Sequence, residues 1–327
     1  MPAPLSNPYN LGQLDDLIKL GKVSWHEGAE MEMGRIQEVR SLFFEKHASE
    51  RTEEHSGFTE SGFSFKTGDG EDYKLVSDTQ GDTLTLTQQK RTVRRQITED
   101  LLEFNKYPEL NAKLKETGAK LWRGYGVDLS HRFTFAFDTS YVDRDGETVT
   151  NTGGDGAAFC ANTHTLNSGD TFDNLISARL SDSAVEDAED LFAALIDQNG
   201  ELVYPIADTM IVGTHASTSN MAVRITGQAI QVDTDFSNKN VHAGKYRLVK
   251  LVYLDTTGVV AKDSTKSRFW FLMASSLKQN LMSSVRRFPV PEVATTDDDN
   301  NTMQWKAKMW YDIGHLDSNF IVGSNAT

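Results

Sequence analysis

The clearest pattern in the chain lies near its C-terminal end. In NTMQWKAKMWYDI, Met303, Trp305, Ala307, Met309, Tyr311 and Ile313 fall on one side, and Gln304, Lys306, Lys308 and Asp312 on the other. That period of two predicts a long strand with one buried face, followed by a short apolar strand at FIVG. A helical period governs LSDSAVEDAEDLFAALIDQNG, where Val185, Ala188, Phe192 and Leu195 form one stripe. Ser183 and Glu186 match a capping box, acids crowd the first half where the helix dipole favours them, and Gly200 suits a C′ position. A second helix is predicted from about 98 to 130, with Thr98 as N-cap and Leu101, Leu102 and Phe104 after it. Pro108 must kink or restart it, and Leu110, Leu114, Leu121 and Tyr125 then keep one face.

Elsewhere the pattern is thinner. Residues 1–57 carry two short helical stretches, one on Leu11, Leu14 and Ile18 and one on Ile36, Val39 and Phe43, which predict an arm that packs on something else. Over 58–96, Phe63 and Phe65 alternate with polar residues, as do Leu84 and Leu86 in TLTLT, with the turn-rich TGDGED and DTQGDT between them. These predict a long β-ribbon with too few apolar residues to stand alone. TMIVG, AIQVD, YRLVKLVYL and RFWFLMA read as short strands of a mixed domain.

Composition narrows the function classes. The 327 residues include 33 basic and 47 acidic ones, a net charge of -14, a field that opposes binding to nucleic acid or anionic lipid. No segment approaches the roughly 18 apolar residues of a membrane span, and MPAPLSNPYNLGQLDDL lacks the pattern of a secretory signal. A soluble protein is expected, without a membrane partner. A single cysteine allows no intrachain disulfide.

Candidate chemistry is sparse. Cys160 and His164 in FCANTH could be a thiolate nucleophile with its base, half of a metal site, or packed loop residues. Metal sites need three or four ligands, and the eight histidines (26, 47, 55, 131, 164, 215, 242 and 315) show no paired spacing. DDDNN and DTDFSN lack the ordered spacing of a calcium loop, and TGGDG is not followed by the Lys-Ser or Lys-Thr of a phosphate loop. The expectation is a packed cysteine, with no catalytic, metal or cofactor site. The one basic concentration, QQKRTVRRQ, places Lys90, Arg91, Arg94 and Arg95 at the base of the ribbon, as a solvated or intersubunit patch.

The order of features from AFCANTH through LNSGDTFDNL to LSDSAVEDAEDLFAALIDQNGELVYPIADTMIVG resembles the Mu-like branch of tailed-bacteriophage major capsid proteins. RFWFLMASSLKQNLMSSVRRFPVPE, WKAKMWYDIGHLDSNFIVGSNAT and TLTQQKRTVRRQITEDLLEFNKYPEL add to the resemblance, which covers about residues 80–327. Met210 stands where an aliphatic residue is common in that family.

The resemblance implies an α+β fold with a peripheral and an axial domain. It maps an N-terminal arm to 1–57, an extended loop to 58–96, a peripheral domain with the long helix to 97–149, an axial domain to 150–290 and returning peripheral strands to 291–327. It implies a structural, non-enzymatic subunit that forms hexamers and pentamers of an icosahedral head enclosing double-stranded DNA. The implied partners are further copies, a portal, a scaffold and decoration proteins. The implied location is the virion, after assembly in the host bacterial cytoplasm. Phe63, Phe65 and the four basic residues are the expected subunit contacts. Three other classes compete with this reading: an encapsulin-like nanocompartment shell, a tail or baseplate component, and a thiol or metal hydrolase using Cys160.

Overall fold

The computed structural model describes residues 11–59, 66–73, 79–97, 107–227, 240–297 and 302–326. In chain order its elements are α1 (Leu11–Arg40), β1 (Phe44–His47), β2 (Thr52–Thr59), β3 (Thr79–Thr87), β4 (Gln89–Ile97), α2 (Tyr107–Thr134), β5 (Ser140–Val142), β6 (Thr148–Thr150), β7 (His164–Thr165), β8 (Thr171–Phe172), β9 (Leu175–Ile176), α3 (Asp182–Ala193), β10 (Thr209–Gly213), α4 (Ala216–Gly227), β11 (Arg247–Leu251), β12 (Trp270–Met273), β13 (Leu281–Arg287), β14 (Glu292–Asp297), β15 (Thr302–His315) and β16 (Ile321–Ser324). They divide into two compact units, one of Met1–Gln37, Gln88–Gly126 and Val285–Tyr311, the other of Glu38–Thr87, Val127–Ser284 and Asp312–Thr327.

The first unit is a helix pair on a sheet. β15 pairs antiparallel with β4 on one edge and with β14 on the other, in registers that put Trp305 opposite both Arg95 and Val293. Trp305, Ala307, Met309 and Tyr311 are buried as their alternation predicts. Helices α1 and α2 cross at glycines. A methyl group on Gly28 would run into the Lys115 carbonyl, one on Gly118 into the Trp25 carbonyl, and one on Gly21 would lie 2.6 Å from the Trp305 ring. Backbones approach this closely only where a side chain is absent. Trp25, Leu114 and Tyr125 fill the space around the crossing. The buried Glu32 of α1 reaches Arg123 of α2 at 3.5 Å.

The second unit centres on a mixed five-stranded sheet ordered β11-β10-β12-β16-β9, parallel at its two outer pairs and antiparallel within. Every residue of β10, β12 and β16 is buried. Val185, Ala188 and Phe192 of α3 and Ala222 and Ile225 of α4 pack with Met210, Val212, Trp270, Leu272 and Val322. Phe271 instead meets Phe133 and Phe137, both with ring centres 5.7 Å away. A sheet covered on both faces reads in sequence as unbroken apolar runs, which is why TMIVG and RFWFLMA carry no alternation.

Several expectations change. The N-terminal segment contains one 30-residue helix, not two short ones, because the glycines that interrupt its apolar pattern are its contacts. The ribbon is β2 with β3, whereas β4 runs along β15 in the first unit's sheet, so the ribbon's strands end at Thr87 and not at 96. Pro108 stands in the first turn of α2, where its missing N–H costs nothing. Thr98, Leu101, Leu102 and Phe104 lie outside the described residues, as do Phe63, Phe65, AIQVD and DTDFSN. The N-cap of α3 is Ser181, whose hydroxyl accepts from the Ala184 N–H at 3.2 Å. Ser183 is therefore inside the helix, and Gly200, at φ 80°, serves the turn after Asp197. FIVG forms β16, which pairs with β12 and β9 in the second unit's sheet.

Candidate assembly interface

The basic run is split by the pleat. Successive strand residues point to opposite faces, so Lys90, Thr92 and Arg94 of β4 share one face while Arg91, Val93 and Arg95 share the other. The latter three are half-buried on the side of Trp305. Residues directly opposite in an antiparallel pair project together, which places Lys306 beside Arg94, Lys308 beside Thr92 and Glu292 beside Lys306. Glu292 accepts from Arg287 at 3.2 Å and from Lys308 at 3.3 Å. Among the described residues the face therefore gathers five cations, Lys90, Arg94, Arg287, Lys306 and Lys308, on a chain of net charge -14. Among the described residues, Lys90, Arg94 and Lys306 have no carboxylate partner.

Sequence reading found two members of this face, Lys90 and Arg94. It also grouped with them Arg91 and Arg95, which belong to the opposite side. Lys306 and Lys308 were legible as the polar face of their strand. Only the pairing of β4 with β15, more than 200 residues apart, joins the two halves, and no local pattern encodes that pairing.

The ribbon is the second candidate element. Its inner face rests on the end of β15, where Gly314 leaves room for Leu84 and Leu86, and the Thr87 N–H donates to Asp312 at 2.8 Å. A register shift between Ser56 and Phe58 interrupts its ladder. Along its outer course Lys66, Asp69, Glu71 and Asp72 are exposed, and Tyr73 is 96% exposed.

The Cys160–His164 stretch is structural. Cys160 is buried against Phe271 and Gly323, and burial, with the charge of Asp173, pushes its thiol well above the usual range. A thiol held protonated is no nucleophile at neutral pH. His164 Nδ1 lies 2.7 Å from Asp155 Oδ2 and Nε2 lies 3.1 Å from Asn174 Oδ1. The Asn174 amide nitrogen donates to the carbonyls of Phe159 and Ser318, so its oxygen must face the ring. Both ring nitrogens thus face oxygen atoms of neighbouring side chains. Burial opposes ionisation of Asp155, but the hydrogen bond and charge of His164 outweigh it and hold that carboxyl below its usual range. Among the described residues no group of three or more His, Cys, Asp or Glu side chains is placed to hold a metal ion.

No protein-family model matches the chain, and no curated protein is similar to it in sequence. Solved structures are similar in fold. A chain from Gordonia phage Cozz superposes with a TM-score of 0.54 at 8% identity, over 88% of this chain and 86% of that one. One from the capsid structure of the cyanophage P-SCSP1u gives 0.52 at 12% identity, over 88% and 86%. One from Mycobacterium phage Adephagia gives 0.50 at 12%, over 89% and 90%. The mixed helix-and-sheet fold of the chain is therefore similar to that of these phage structures, a phage capsid among them.

Proposed function

We propose that the chain is the structural subunit of a tailed-phage head, assembling with copies of itself into hexamers and pentamers that enclose double-stranded DNA. The observation that carries this reading is the likeness in fold, over 88% of the chain, to a subunit of the P-SCSP1u capsid. The two candidate elements agree with it. A ribbon that rests on one edge of its own unit and a sheet face crowded with cations are both incomplete in a single copy. Closed symmetry lets each such patch serve every neighbour, and contacts that are individually weak become decisive when several hold one subunit.

In this reading the cations of the open sheet face meet carboxylates of a neighbouring copy, and the ribbon, including Phe63 and Phe65, lies on another. Complementary charge sets register and encounter rate more than affinity, and salt screens it over about 8–10 Å. A portal, a scaffold and decoration proteins are the further partners, and the virion is the location after assembly in the host cytoplasm. The DNA is enclosed without sequence-specific contacts. The role read here is structural, and the one thiol of the chain, buried and held protonated, offers no nucleophile.

Negative-stain imaging of the purified chain at low and high salt tests the proposal. Closed shells, with slower assembly at high salt, are expected. Tubes or open rings would point to a tail component, and a chain that stays monomeric under all conditions would overturn the reading.

A further inference from the structure

The ribbon's ladder is interrupted between Ser56 and Phe58, and the residues around that point form a charged cluster. The register shift between Ser56 and Phe58 lies across from Gly81 and Asp82, and a bulge of this kind bends a ribbon. Gly57 and Gly81 face each other there, since a methyl group on Gly81 would lie 3.2 Å from the Gly57 carbonyl oxygen. Immediately beside them one amide nitrogen serves two carboxylates. Gln198 Nε2 donates to Asp82 Oδ2 and to Asp317 Oδ1, each at 3.1 Å. Asp82 also crowds Gly154, where any side chain would displace it. The ribbon, the loop at 153–157, the turn at 197–201 and the segment after β15 therefore meet at Asp82.

The charges at this junction do not balance. Asp82, Asp155 and Asp317 supply three carboxylates, and the nearby basic side chain, His164, is committed to Asp155. From the segment of Asp317 itself comes His315, which is fully buried. Both of its ring nitrogens lack a hydrogen-bond partner among the described residues. His315 is held neutral, its pKa lowered to about 3 by burial and then by the charge of Arg132. Arg132, on α2, is itself spent on the Thr150 and Ile313 carbonyls and the Asn151 side chain. Neither group neutralises the Asp82–Asp317 pair.

We propose that this pair is a proton-dependent latch: one proton taken up between Asp82 and Asp317 closes the junction and fixes the angle at which the ribbon leaves the body. Ionisation of both loosens it. Burial, with the charge of Asp82 next, lifts the Asp317 carboxyl to about 6, and burial followed by the charge of Asp155 raises Asp82 as well. Both side chains are only partly buried, so the proton can exchange with solvent. The latch is a property of the single chain and depends on the assembly reading only for its use.

The sign of the linkage follows. The folded pKa of Asp317 lies above its unfolded value, so the folded state holds the extra proton between about pH 4 and pH 6. Stability is lost as pH rises through that window and stays low above it. Asparagine mimics the protonated acid. Thermal unfolding of the full chain should show Asp317→Asn melting a few degrees above wild type at about pH 7.5, with the difference vanishing by about pH 4. Proteolysis within residues 58–80 at about pH 7.5 should be several-fold slower in the same variant. Asp82→Asn should act in the same direction and serves if Asp317→Asn fails to fold. Wild-type protection of β3 amides, corrected for intrinsic exchange, should in turn be greater at about pH 5 than at 7.5. Variants that melt at or below wild type at every pH, or ribbon cleavage that does not respond, would overturn the latch.

Discussion

The two large sheets of this molecule solve opposite problems. In β10, β12 and β16 every side chain is buried. The sheet of β4, β14 and β15 buries Trp305, Ala307, Met309 and Tyr311 on one side and leaves Lys90, Arg94 and Lys306 in water on the other. A doubly covered sheet has no surface left for a partner, and its residues are chosen by packing alone. A half-covered sheet has its second face free, and here cations dominate that face where a monomer would be expected to balance both signs. The difference separates what holds the chain together from what is available to hold copies to each other.

The comparison breaks most visibly at its extremes. Phe271→Ala removes a fully buried ring from the closed sheet and should cost about 3–5 kcal/mol. Thr92→Ala, on the open face of β4, should change stability by less than about 0.5 kcal/mol. Denaturant unfolding of both variants measures the contrast. Similar losses at the two sites would mean that the open face is covered within the single chain.

The helix crossing on the covered side of the open sheet gives the next largest effect. Gly28→Ala drives a methyl group into the Lys115 carbonyl and should destabilise by about 1–3 kcal/mol. Gly34, one and a half turns along the same helix, has open space around it. Gly34→Ala should therefore gain up to about 1 kcal/mol from helix propensity. Opposite signs at two glycines of one helix, read from melting temperatures, would establish close packing at the first; equal signs would contradict it.

These positions also show which parts of the fold were legible in the sequence. The alternation of 303–313 was readable because one face is wet and the other dry, and α3 because its stripe faces a sheet. The buried strands were visible as apolar runs, but their order was not, since β10 takes partners from both sides at distances that no local pattern encodes. Helix α1 was misread as two pieces because glycine counts as an interruption in a hydrophobic pattern, whereas here Gly21 and Gly28 are the contacts themselves. The candidate interface was half legible. Charge density singled out 90–95, but only the pleat separates Lys90 and Arg94 from Arg91 and Arg95, and only strand pairing adds Lys306 and Lys308.

A smaller effect is expected where the sequence offered its one suggestion of chemistry. Cys160→Ser exchanges a buried thiol for a hydroxyl beside Phe271 and should cost about 1–2 kcal/mol, with shell formation unchanged. Loss of assembly at unchanged melting temperature, or an activity that disappears with the thiol, would return Cys160 to the list of functional groups.

The smallest effect on stability should accompany the largest effect on assembly. Lys90→Glu with Arg94→Glu leaves three of the five cations on the open face and adds two carboxylates, a change of four charges. The fold should not suffer. In the wild type Arg94 stands opposite Lys306, a like-charged pair, and a glutamate at 94 converts it into an attractive one worth a few tenths of a kcal/mol. Arg91→Glu with Arg95→Glu makes the same change of charge on the half-buried side of the same strand, where it must weaken folding. If the open face is where copies meet, the first double variant should melt at or above wild type and yield few shells, and the second should melt lower. Circular dichroism melts beside sedimentation profiles at low salt distinguish the outcomes. Normal shells from the first variant would show that its cations are merely solvated.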